Sequence, residues 1–142
     1  GSEMCIRDRP RVALVDHGSP LSSVTNVRNA LADQLAAALA NEIEILSPSS
    51  MERRPGDEYA FNEPLLENLL RKDGWNTASV VIAMLFLSPG MHAGEGGDID
   101  SICSDARKEN PDLKTYMTGL LGTHPKIVSI LSRRLEMDRV EL

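Results

Sequence analysis

Cysteine is scarce in this chain: Cys5 and Cys103 are the two it has, far apart and outside any C-x-x-C spacing. Their placement argues against a disulfide scaffold and a cysteine-built zinc site, and a reducing cytoplasm is the expected setting. Basic residues are outnumbered, 15 against 21 acidic, for a formal net charge of -6 and a pI near 5.0. Nucleic-acid binders usually show a basic face, so no such partner is expected, and a polyanionic ligand must be met by a local basic patch. Long apolar runs are missing too. "SVVIAMLFL" has nine residues, too few to cross a bilayer, and no membrane partner is expected. The start, "GSEMCIRDRP", lacks the apolar stretch of a signal peptide; Gly1-Ser2 reads as a tag remnant, and residues 1–10 are set aside as a disordered N-terminus. There is no G-x-S-x-G elbow, P-loop or dinucleotide fingerprint, so no organic cofactor is expected.

What is present is a core-forming pattern. The chain has 142 residues, 42% of them hydrophobic, enough for one domain, which is placed at 11–138. "RVALVDHG" reads as a strand. A helix follows over "SSVTNVRNALADQLAAALA", with Val24, Val27, Leu31, Leu35 and Leu39 inward and Ser22 or Ser23 as cap. "EIEILS" is a second strand, then a polar loop with Arg53 and Arg54. Asn62 caps a helix that stops at Gly74. "ASVVIAMLFL" reads as a central parallel strand covered on both faces. Asp98 caps "IDSICSDARKE", with Ile99, Ile102, Cys103 and Ala106 inward. "LKTYMTGLLG" is a fourth strand, and Thr123 caps a last helix with Ile127, Ile130, Leu131 and Leu135 on one face. Four strand-helix units imply a mainly parallel sheet in a three-layer α/β sandwich.

The chain has three histidines, His17, His92 and His124. Each follows the C-terminal end of a predicted strand, and in open parallel sheets those ends share the rim where ligands bind. Neutral imidazole is the commonest metal ligand, so two or three on one rim point to a metal site. Without cysteines the donors are nitrogen and oxygen, suited to cobalt, nickel, iron or zinc. Glu95 and Asp98 are nearby carboxylates, although Asp98 reads first as a helix cap and His124 as part of the last helix's cap. Ser19 beside His17 raises a nucleophile and base, but neighbours on an extended chain point apart.

"VALVDHGSP", "VIAMLFLSPGMHAGEGGDI" and "GLLGTHPKIVSILSRRLE" together resemble the CbiX/SirB family of class II tetrapyrrole chelatases. The resemblance runs from Arg11 to Glu136. It implies a parallel α/β sandwich with His17 and His92 facing each other across a cleft, and a short form that dimerises. The implied activity is insertion of divalent cobalt or iron, or nickel as in some relatives, into sirohydrochlorin. Here Pro20 follows "HGS" where relatives often have Arg or Lys, and "AGEGG" between His92 and the "DI" pair is longer than the common spacer.

On that resemblance His17 and His92 hold the metal, itself a substrate, and one of them or Glu95 takes the pyrrole protons. Ser19, Met51, Pro89, Gly90 and Met91, with Leu87, would meet the ring, and Arg53, Arg54 or Lys126 its carboxylates. The alternative is a non-catalytic metal- or tetrapyrrole-binding protein on the same fold.

Overall fold

Alternating strands and helices give the chain its layers, and a computed structural model describes residues 9–88, 90–122 and 124–141. The strands are β1 (Arg11–Asp16), β2 (Leu46–Ser50), β3 (Ser79–Met84) and β4 (Lys114–Met117). The longer helices are α1 (Ser22–Ala38), α3 (Asp98–Glu109) and α4 (Pro125–Glu141), with a single-turn α2 (Leu66–Leu69) and a 3-10 segment over Asp57–Asn62. The sheet order is β2-β1-β3-β4, parallel throughout. This is the α/β sandwich read from the sequence.

Strand alternation sends Ala13, Val15, Val80, Ile82 and Met84 to one face, where they pack with Leu66, Leu69, Ile99, Cys103 and Ala106 of α2 and α3. Burial of Cys103 pushes its thiol up from 9.0 to about 11, against the smaller opposing pull of Arg107. A raised folded-state value keeps its stabilisation below pH 9 and loses it as pH rises through 11. Between those limits roughly 2–3 kcal/mol is expected to disappear, and Cys103→Ala should flatten that part of a urea-midpoint profile. An unchanged profile would refute the linkage.

Several expected details differ. The second strand lies at Leu46–Ser50 rather than 42–47, because "SPSS" pairs with β1 from Val12↔Leu46 to Asp16↔Ser50. Proline is tolerated on an edge strand, and the serines find partners: Ser49 Oγ donates to Leu14 O at 3.0 Å. Asn62 is not a helix cap. It is fully buried, accepting from Ser19 N–H (3.0 Å) and donating to Ser19 O (2.9 Å). On α1 the buried residues are Thr25, Arg28 and Ala32, while Val24 and Val27 are exposed. Neither Ser22 nor Ser23 caps α1; the cap position is Leu21, whose N–H donates to Ser19 Oγ at 3.0 Å. β3 is buried at alternate positions only, and Ile130, Leu131 and Leu135 of α4 face solvent. The Thr123 cap lies outside the described residues.

Candidate functional site

The site begins where β1 ends. Asp16, at the last position of the strand, is buried, and its Oδ1 accepts from Gly18 N–H (3.0 Å) and Ser50 Oγ (2.6 Å). Arg28, 2% exposed, donates to Ser50 Oγ and to Asn62 O, both at 2.7 Å. Burial lowers its pKa and the charge of Asp16 opposes that. A buried cation on α1 thus braces the turn that carries His17. Gly18 has φ +96, and a Cβ there would lie 1.9 Å from Glu52 O, so only glycine lets the two rim segments approach.

That approach puts a carboxylate at the site which the sequence reading passed over. Pairing of β1 with β2 runs past the strand ends, Met51 N–H to Asp16 O (2.8 Å) and Glu52 N–H to His17 O (3.2 Å). Glu52 Oε1 then lies 3.3 Å from His17 Nε2. The available signal was the strand register, hidden by the low strand propensity of "SPSS".

His17 and His92 meet with ring centroids 4.7 Å apart and planes at 72°. His92 is held by its loop: Asp98 N–H donates to Met91 O (3.0 Å) and Ile99 N–H to His92 O (3.0 Å), so the loop's own carbonyls cap α3. Asp98 is therefore not the side-chain cap; Gly97 holds that position without a side-chain bond. Instead Asp98 Oδ2 lies 2.6 Å from His92 Nδ1, and the longer "AGEGG" spacer still brings carboxylate to imidazole.

These contacts fix the tautomers. A carbonyl can only accept, so His17 Nδ1–H donates to Gly18 O at 3.1 Å; an ionised Asp98 likewise takes Nδ1–H from His92. Each neutral ring is left with Nε2 as its free lone pair. His17 Nε2 faces Glu52, an arrangement satisfied by a proton or a metal ion between them. Donors at roughly 2.0–2.2 Å from one ion would stand about as far apart as these two do. Among the described residues no three His, Cys, Asp or Glu side chains already form a closed metal cluster.

The other predicted residues divide. Met91 and Leu87 are exposed beside the site, and Gly90 has open space where a side chain would be. Met51 is not available to a ligand, being buried in the core at 5% exposure. Glu95 is exposed, with no hydrogen bond to either histidine among the described residues. Ser19 Oγ accepts from Leu21 N–H, and among the described residues no hydrogen bond joins it to His17, so nothing supports the nucleophile-base reading. Pro89 lies outside the described residues. His124 caps its helix, Nδ1 accepting from Lys126 N–H at 3.1 Å.

Two cavities share His17 and Gly18. One, about 630 Å³, is mainly apolar, with Val24, Val27 and Leu31 on one side and Phe86, Leu87 and Leu121 on the other. The second, about 460 Å³, is lined by Glu52, Arg53, Arg54 and Pro55. Arg53 donates to Glu63 Oε1 (3.0 Å) and Gly56 O (2.8 Å), and Arg54 stacks over Tyr59 at 5.9 Å. No helix among the described residues is long and apolar enough to cross a membrane.

The structure is thus a parallel α/β sandwich that brings two imidazoles together at its C-terminal rim, one of them, His17, lining both an apolar and a basic cavity. The CbiX family model matches residues 11–138, and the chain belongs to that family, whose members are chelatases that place divalent metals in tetrapyrroles. No curated protein matches it.

Proposed function

We infer that this protein inserts a divalent metal, cobalt or iron and by extension nickel, into sirohydrochlorin. The observation that carries the reading is a histidine pair in contact, one member of which, His17, lines both an apolar and a basic cavity. Sirohydrochlorin is a flat apolar ring edged with carboxylates, and it needs both surroundings at once. Leu87 and Met91 would meet its face, Arg54 in the basic cavity is the cation offered to its edge, and Gly90 leaves room for the ring to approach.

Insertion exchanges one M²⁺ for two pyrrole protons. His17 and His92 hold the ion through Nε2, leaving its other positions to the ring nitrogens. Glu52 balances charge beside the ion, and a closed ligand shell would retain the metal that has to leave. As the ion moves to the ring, the freed imidazoles accept the protons, with Glu52 and Asp98 stabilising the imidazolium forms. Glu95, exposed on the His92 loop, is the candidate for passing them to solvent.

The test is incubation with sirohydrochlorin and Co²⁺, Fe²⁺ or Ni²⁺ while the absorption spectrum is recorded. Insertion well above the protein-free rate is expected with at least one metal; no acceleration with any would defeat the reading. A spectral change on binding without turnover would instead indicate a carrier. Glu52→Gln is expected to lower kcat by about 10–100-fold, as loss of a metal-site partner does. Glu95→Gln should cost less. The reverse order in steady-state kinetics would move the proton path away from Glu52.

A further inference from the structure

Buried polar atoms in folded proteins are paired, and Asp16 at the end of β1 pairs only one of its two oxygens. Its Oδ1 accepts from both Gly18 N–H (3.0 Å) and Ser50 Oγ (2.6 Å). Its Oδ2 accepts from nothing among the described residues, although the residue is only 8% exposed. Arg28 does not fill that place. Its guanidinium donates to Asn29 Oδ1, Ser50 Oγ and Asn62 O, and none of these bonds goes to Asp16. The cation acts on Asp16 through its charge and through Ser50 between them.

The free oxygen opens on a cavity. Among the described residues no enclosed side-chain nitrogen or oxygen lacks a hydrogen bond, so Oδ2 is not sealed in protein. Asp16 lines the apolar cavity of about 630 Å³ and not the basic one, and Oδ2 is the oxygen it presents there. The rest of that wall is mainly hydrocarbon, with Val27, Leu31, Leu85 and Phe86 in it. An ionised oxygen set among hydrocarbon costs free energy unless a donor meets it. The donor that suits this place sits on an apolar molecule. A free cation does not suit it, because Arg28 lines the same space.

We propose that Asp16 Oδ2 receives a pyrrole N–H at the centre of the tetrapyrrole, so that the ring is recognised by a group that metal insertion removes. The contact rests on the sirohydrochlorin reading of the site. The rim of that ring is ionised carboxylate, which a buried Asp16 repels, and its only N–H donors lie at the centre of its apolar face. Asp16 therefore draws the centre of the ring, and not its edge, toward His17, the next residue, whose Cα is about 3.8 Å away. The same contact separates substrate from product. Insertion takes away both N–H groups, so the metallated ring has no donor for Oδ2 and is held less firmly than the free ring. Asp16 stays a carboxylate throughout, and the protons go to the freed imidazoles.

Equilibrium titration by absorption, with no free metal present, tests this apart from insertion. The probes are sirohydrochlorin and its copper(II) complex, because copper(II) is satisfied by four in-plane nitrogens and adds little attraction to the histidines. The wild type should bind the free ring about 10–100-fold more tightly than the copper ring. Asp16→Asn keeps an oxygen for Gly18 and Ser50 and turns an amide N–H toward the cavity. It should weaken binding of the free ring by about that factor and leave binding of the copper ring unchanged. Ser50→Ala, which takes a donor from Oδ1 and none from Oδ2, should lower the urea midpoint and keep the preference. Equal affinities in the wild type, or a preference lost alike in both variants, would overturn the assignment and leave Asp16 a brace. The wild-type comparison stands even where Asp16→Asn fails to fold. A clear preference without insertion would support the contact and defeat the chelatase reading; insertion with equal affinities would do the reverse. Failure to bind either ring would defeat both.

Discussion

Replacing His17 or His92 with alanine is expected to slow metal insertion by about 10²–10⁴-fold and leave the fold intact. Each ring is partly exposed, His17 at 46% and His92 at 40% of its side chain, and neither belongs to the core, so little stability depends on them. Their chemistry is another matter. Each presents Nε2 because its Nδ1 proton is committed, to Gly18 O in one case and Asp98 in the other, and a single imidazole can take only one of the two protons that insertion releases. Asp98→Asn should give a smaller loss, about 10–100-fold, because the ring stays while the partner of its Nδ1–H changes. Stopped-flow insertion assays with thermal melts check the set. Full activity in either alanine variant, with an unaltered melting midpoint, would remove the pair from the mechanism.

Arg28→Met should destabilise the protein by about 3–5 kcal/mol, an unusually large effect for one charged residue. The guanidinium is 2% exposed and donates to Ser50 Oγ and Asn62 O, and Ser50 in turn donates to Asp16. Methionine fills similar volume but leaves Asp16 buried without its countercharge. Because Asp16 also holds Gly18 N–H, the His17 turn should loosen and metal affinity fall with stability. In urea titrations, Arg28→Met combined with Asp16→Asn should cost less than the sum of the two, since the groups form one network. A loss below 1 kcal/mol, or strict additivity, would show that the network does not act as a unit.

Much of this site was legible because local patterns survive folding. Strand-glycine junctions put His17 and His92 on one rim, and the parallel order follows from alternating strands and helices. What was misread depends on partners distant in the chain. Val24 and Val27 carry the helical spacing of a buried stripe, yet Thr25, Arg28 and Ala32 are the buried residues. Periodicity counts apolar side chains and does not register an arginine whose partners, Ser50 and Asn62, lie on other elements. Asp98 at a helix start reads as a cap by composition, but Met91 and His92 carbonyls already satisfy the first donors, freeing its carboxylate for the imidazole.

By itself, the order of apolar runs, helical stripes and glycine breaks determined the class of fold, the rim and the histidine pair, because these rest on short-range backbone preference and on period. Only the tertiary structure decided which carboxylates join that pair. Glu52 reaches His17 through a parallel register that starts four residues later than "EIEILS" suggests, and Asp98 reaches His92 across a loop closed by its own carbonyls. The cause is the same in both cases: strand register and loop closure are settled by hydrogen bonds between segments far apart in sequence, which no local window contains.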